Sequence, residues 1–205
     1  MQTIEKSMIR RVRGRGRGSA VTPADFLDLG TRAAVDQGLS RLARKKVLTR
    51  VSRGVYSFPE TSAWIGEISP SPDEVARALA RRGSGKLLPS GALAANLLGL
   101  SEQVPAKAEY LTDGPSSRVM IKNLQVVLKQ TTPKNLATAD RVTGVVIQAL
   151  RFLRRQQVGQ EVVTKLRERL KPAERRQLVK DIPFAPAWMA PIFRKIAEER
   201  GSAEE

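Results

Sequence analysis

Residues 22–58, TPADFLDLGTRAAVDQGLSRLARKKVLTRVSRGVYSFP, constrain the fold more than any other stretch of this chain. Thr22-Pro23 pairs a helix N-cap with a first-turn proline. Phe26, Leu27 and Leu29 give a short second helix its apolar face, and Gly30 closes it. Thr31 then caps a third helix running to about Lys46, in which Val35, Leu39 and Leu42 recur at i, i+4, i+7 and must face a core. Strand-type residues follow at once on either side of a basic turn, from Val47 to Phe58, with Gly54 behind the turn and Pro59 ending the sheet. Upstream, Ile4, Met8, Ile9 and Val12 predict a first helix over roughly residues 2–13, which Gly14, Gly16 and Gly18 bring to an end. Three helices followed by a basic hairpin are expected to form a winged helix-turn-helix.

That expectation names the residues that would meet a DNA duplex. The outward face of the third helix carries Ala33, Gln37, Ser40, Arg41 and Arg44, with Arg32 in its first turn. Small and polar groups there let a helix sit deep in a major groove and hydrogen-bond base edges. Arg50, Ser52 and Arg53 on the hairpin are placed for phosphate or the minor groove, and Arg15 and Arg17 in the Arg-Gly turn for phosphate. The alternation RVRGRGRG is too short for an RNA-binding tract and is read as a helix cap plus a basic turn. Charge favours the same segment. Lys and Arg number 36 against 20 acids, a net charge of +16. The first 60 residues hold 13 basic and 5 acidic residues, the other 145 hold 23 and 15, so charge density is more than twice as high at the start. Such a field attracts polyanions.

Composition closes other routes. With 41% hydrophobic residues the chain can bury a core. It has no Cys and no His, which removes thiolate nucleophiles, imidazole bases and Cys/His zinc sites together. No cofactor and no metal is expected. Gly83-Ser84-Gly85-Lys86 resembles the end of a phosphate-binding loop, but Ala80 stands where the first glycine belongs and Leu87 follows the lysine. Gly14, Gly16 and Gly18 do not fit the dinucleotide fingerprint. The carboxylates are scattered without a catalytic dyad, and Ser90 lacks a nucleophile elbow and any histidine partner. The chain is therefore not expected to be an enzyme. It has no apolar run of 18 residues and no secretory leader, which predicts no membrane contact and a cytoplasmic location.

Residues 60–72, with two prolines and small polar residues, read as a linker between 1–59 and a second domain over 73–200, and 201–205 as a frayed acidic tail. Trp64 and Ile65 are expected to pack on that second domain. It should begin with helices 73–82 and 90–98, pass through strands near 108–112, 118–121 and 124–129, and end in helices 138–156, 159–170, 173–180 and 187–199. The fold class is α+β, with a small antiparallel sheet and a helical C-terminal tail. The basic residues of 151–180 fit either a solvated face or a second polyanion surface. Trp188, Met189, Ile192 and Phe193 fit either core or an interface.

Two groups of residues resemble a known family. Phe26-Leu27-Asp28-Leu29-Gly30, Ala33 with Leu39-Ser40-Arg41-Leu42, and Arg53-Gly54-Val55-Tyr56 are similar to the N-terminal domain of AbiEi-type antitoxins of the type IV (AbiE) toxin–antitoxin systems. Ala92, Asn96, Leu98-Gly99-Leu100, Gln103, Pro105, Tyr110, Thr112 and Gln148-Ala149-Leu150 continue the resemblance through about residue 156. It implies that the first domain binds operator DNA and represses the operon. It also implies that the second domain counteracts a nucleotidyltransferase-like toxin encoded next door. The alternatives are a plain winged-helix regulator, whose second domain senses a ligand or dimerises, and a basic RNA-binding protein. The latter would lack stacking residues, since aromatics are only 4%. Winged helices often bind inverted repeats as dimers, so a homodimer is a further expected partner.

Overall fold

The computed structural model describes residues 4–62, 64, 66–83 and 85–198. Ile65, Ser84 and the expected tail 201–205 lie outside the described residues. The chain is α+β and divides into two compact units. One runs to Gly85 and takes in Ala106–Ala108 and Gly114–Gln130; the other comprises Lys86–Pro105, Glu109–Asp113 and the chain from Thr131 onward.

The first unit opens with α1 (Ile4–Arg15) and a two-residue strand, β1 (Ala20–Val21). A 3-10 turn over Pro23–Phe26 stands where the sequence predicts a second helix. Four residues form too short a segment to sustain α-helix, and of its expected apolar face only Phe26 is fully buried, while Leu27 is exposed. Helix α2 (Arg32–Arg44) is capped by Thr31, whose hydroxyl accepts the Ala34 N–H at 3.3 Å. It stops at Lys46, which adopts a left-handed conformation with φ 56°. The Lys46 N–H donates to the Ala43 carbonyl and the Val47 N–H to the Leu42 carbonyl, a Schellman closure built without glycine.

Strands β2 (Thr49–Ser52) and β3 (Val55–Ser57) form an antiparallel hairpin around Gly54, whose φ of 72° suits the turn. β1 pairs with the far side of β3 through Ala20↔Ser57 and Val21↔Tyr56. Met8, Val12, Val21, Phe26, Val35, Leu39, Leu42, Leu48 and Tyr56 close the core of these elements. Gly38 brings α2 close to α1: a Cβ there would meet the Met8 sulfur at 3.0 Å.

The expected linker holds a hairpin, β4 (Glu60–Ser62) with β5 (Gly66–Ile68). Trp64, expected to pack inward, lies between these strands and is 96% exposed. Helix α3 (Pro72–Ala80) follows, capped by Ser71. Strands β8 (Ser117–Ile121) and β9 (Leu124–Gln130) complete this unit as a further hairpin.

In the second unit, β6 (Leu87–Pro89) pairs with the latter part of β7 (Lys107–Thr112), through Leu88↔Leu111 and Pro89↔Tyr110. Helices α4 (Gly91–Leu97), α5 (Val142–Leu153), α6 (Gln160–Arg169), α7 (Pro172–Lys180) and α8 (Ala190–Ala197) share one continuous core, from Ala94 and Ala95 through Val146 and Leu150 to Met189, Phe193 and Ile196. Gly144 admits the Thr138 carbonyl and Leu88 to α5; a Cβ at this position would stand 2.4 Å from that carbonyl oxygen. Among the described residues no helix is long and apolar enough to cross a membrane.

Candidate nucleic-acid interface

Helix α2 separates its two faces cleanly. Val35, Gly38, Leu39 and Leu42 are buried, while Ala33, Gln37 and Arg44 are exposed and Ser40 is half-buried on the side away from the core. These four outward positions follow i, i+4, i+7, i+11 and so form one stripe along the helix. The stripe mixes a methyl, a carboxamide, a hydroxyl and a guanidinium, and none of them is needed to close the fold.

The hairpin β2–β3 is tied directly to the end of this helix. The Val47 and Leu48 N–H groups both donate to the Leu42 carbonyl, and Leu48 and Tyr56 share the core with α2. Arg50 and Arg53 are exposed, and Ser52 is half-buried beside the bulge that interrupts the ladder between Arg50 and Ser52. Among the described residues Arg44, Arg50 and Arg53 have no ion-pair or hydrogen-bond partner. Their charge is therefore open to an outside anion.

The other expected cations are held within the fold to different degrees. Arg32 pairs with Asp36 at 2.9 Å, one helical turn on. Arg41 reaches the Glu5 carboxylate at 3.4 Å, and Lys45 reaches the same carboxylate at 2.8 Å, so α1 and α2 are pinned by one acid between two cations. The Lys45 ammonium, with Arg41 beside it, holds Glu5 below the usual carboxylate range. Arg17 is exposed, lies over the Phe58 ring at 5.7 Å and donates to the Pro59 carbonyl at 3.4 Å.

Arg15 has a structural partner that the sequence does not announce. It meets the Asp25 carboxylate at 2.9 Å, and Arg81, from just beyond α3, meets the same carboxylate at 2.6 Å. Asp25 also accepts the Thr22 N–H at 2.7 Å, and Arg81 donates to the Ala20 carbonyl. Burial works against the charged form of Asp25. The hydrogen bonds from Arg81, the Thr22 backbone and Arg15 outweigh it and hold the carboxyl below its ordinary range. A second clamp lies close by, where Arg11 binds both oxygens of Asp28 at 2.6 Å and stacks at 5.8 Å from the Phe26 ring. The i, i+4 spacing of Arg32 and Asp36 could be read from the chain. The partners of Asp25, 10 and 56 residues away, could not.

Among the described residues no three His, Cys, Asp or Glu side chains converge to hold a metal ion.

Residues 7–178 match the model of a family of unknown function, DUF6088, and the chain belongs to that family. A search of curated proteins finds no match. Among solved structures, the crystal structure of RV2827C protein from Mycobacterium tuberculosis is similar at 16% identity, over 96% of this chain and 77% of that one, with a TM-score of 0.42.

Proposed function

We propose that this member of the DUF6088 family is a sequence-specific DNA-binding protein whose first unit acts as a winged helix-turn-helix. In this reading α2 enters the major groove, and the β2–β3 hairpin is the wing. The observation that carries it is the outward stripe Ala33, Gln37, Ser40 and Arg44, continued by the open cations Arg50 and Arg53. A helix whose exposed face is small at one end and polar along its length fits a groove closely, and side chains at successive turns reach successive base edges. Cations on the hairpin grip phosphate, which supplies affinity and fixes register without reading sequence. Glu5 and Asp25 serve as supports: the first steadies α1 on α2, the second holds Arg15 at the end of α1, just before Arg17.

The family resemblance in the sequence extends this reading. The protein would bind the operator upstream of its own gene and repress the operon, and its second unit would counteract a nucleotidyltransferase-like toxin encoded beside it. The test has two parts. Purified protein is titrated against its own upstream duplex and a scrambled duplex over a salt series, with Arg44→Ala as the variant. Preference for the upstream duplex, reduced by Arg44→Ala, is the expected result. Equal, steeply salt-dependent binding to both duplexes would mean that net charge acts alone and would sink the specific reading. Co-expression with the neighbouring gene then tests the second part. Rescue of growth by the full chain is expected, and a neighbour that is neither toxic nor nucleotidyltransferase-like would leave a plain regulator.

A further inference from the structure

The positive charge of the first unit is not spread evenly along its chain. Residues 61–85 balance Glu67, Asp73 and Glu74 against Arg77, Arg81 and Arg82. Residues 114–130 carry Arg118, Lys122 and Lys129 and no acid at all. This segment lies far from α2 in sequence, yet the chain returns to the first unit to place it there.

It forms the β8–β9 hairpin, paired from Ser117↔Leu128 to Ile121↔Leu124. β8 alternates strictly: Val119 and Ile121 are buried, while Arg118 and Met120 are exposed. Lys122 opens the turn with φ 51° and is also exposed. α3 packs on β9, and β8 packs on β2, the strand that carries Arg50. Neither Arg118 nor Lys122 has an ion-pair or hydrogen-bond partner among the described residues. Four residues of extended chain separate them, roughly 13 Å, enough to reach two different phosphates.

We infer that the β8–β9 hairpin is a second backbone-gripping hairpin of the same DNA-binding surface, with Arg118 and Lys122 each contacting a phosphate of the duplex beyond the stretch met by β2–β3. The inference rests on the DNA-binding reading above. The partner is duplex DNA because the hairpin adjoins β2, and the two open cations Arg118 and Lys122 suit a regular line of phosphates. The expected contribution is affinity and register, not base choice. Between them the two hairpins would lengthen the contacted segment of DNA without lengthening α2.

The experiment titrates the full chain against its own upstream duplex and a scrambled duplex over a salt series. The variants are Arg118→Gln, Lys122→Asn, their double, and Arg44→Ala. Asn is chosen at 122 because it accepts a left-handed backbone. Each lost phosphate contact should lower the slope of log affinity against log salt by about 0.9, so each single variant loses about 1 and the double about 2. Both duplexes should weaken alike, with their ratio kept and the thermal midpoint unchanged, and Arg118→Lys should restore its share of the slope. If the double variant keeps affinity and slope while Arg44→Ala weakens binding, the hairpin does not touch DNA and the inference falls while the DNA reading stands. If neither changes binding, both fall. Loss of sequence preference at an unchanged slope would also overturn the inference, since the hairpin would then be reading bases.

Discussion

The first unit carries 20 of the 36 basic residues and 8 of the 20 acids, a surplus of 12 positive charges, whereas the second carries 16 and 12, a surplus of 4. The first also uses its few acids as internal anchors. Asp25 sits between Arg15 and Arg81, Asp28 takes Arg11, and Glu5 takes Arg41 and Lys45. The second unit relies on one apolar core running from α4 to α8, with the buried Asp181 neutralised by Arg141 at 2.6 Å. The contrast teaches how a strongly cationic unit stays folded. Its acids are spent where they brace the scaffold, so the cations left over, Arg44, Arg50 and Arg53 among them, lie where a polyanion can reach them. The second unit has no such excess to manage and is held by packing.

The largest expected effect breaks the second unit's side of this contrast. Phe193 is fully buried in the core of α4 to α8. Phe193→Ala should cost about 3–5 kcal/mol in a denaturant titration. DNA affinity per folded molecule should hold, and a parallel loss of affinity in the folded protein would contradict the division of labour. Next is Asp25→Ala, which strands Arg15 and Arg81 without their shared acid. Buried pairs broken in this way cost about 3–5 kcal/mol; with both guanidinium groups about a third exposed, roughly 2–3 kcal/mol is expected here.

Asp25 also predicts the direction of acid sensitivity. Its carboxyl titrates lower in the folded chain than the 3.8 it has when free. Its stabilisation is therefore complete above that value and is lost as pH falls through the lower, folded one. A stability profile across that acid range should flatten in Asp25→Ala, and an unchanged profile would show that other carboxylates dominate. A smaller effect belongs to binding: Arg44→Ala should cost about 1–3 kcal/mol on the upstream duplex if it contacts a base. Smallest is Thr31→Ala, which removes the cap of α2 and should lower stability by about 1 kcal/mol with only a slight change in binding. A large binding defect in that variant would mean Thr31 itself meets DNA.

Much of this architecture was readable from local pattern. The core face of α2, the Thr31 cap, the β2–β3 hairpin around Gly54 and the strands near 108–130 follow from periodicity and turn chemistry, which act over a few residues. For Met189 and Phe193 the pattern left core and interface open, and the structure buries both. What failed was also local in origin. The second helix shrank to a 3-10 turn because Leu27 has no core to face. The stretch at 60–72 looked like a connection because Pro70, Pro72 and the small polar residues around them outweigh the signal of a hairpin with only three residues in each strand. Of the candidate contacts, the outward stripe of α2 was legible from amphipathic spacing, since a core on one side dictates a free face on the other.

The sequence by itself determined where the positive charge concentrates and, through the spacing of α2, which face of that helix stays clear of the core. Only the tertiary structure decided which of those cations are already engaged. Arg15 is paired to Asp25 and Arg41 to Glu5, while Arg44, Arg50 and Arg53 have no such partner among the described residues. It also brought residues 114–130 into the first unit, against β2. The physical reason is that periodicity records short-range geometry, whereas ion pairing depends on which distant segments the core draws together. An acid 36 residues from its arginine leaves no mark on the local pattern of either.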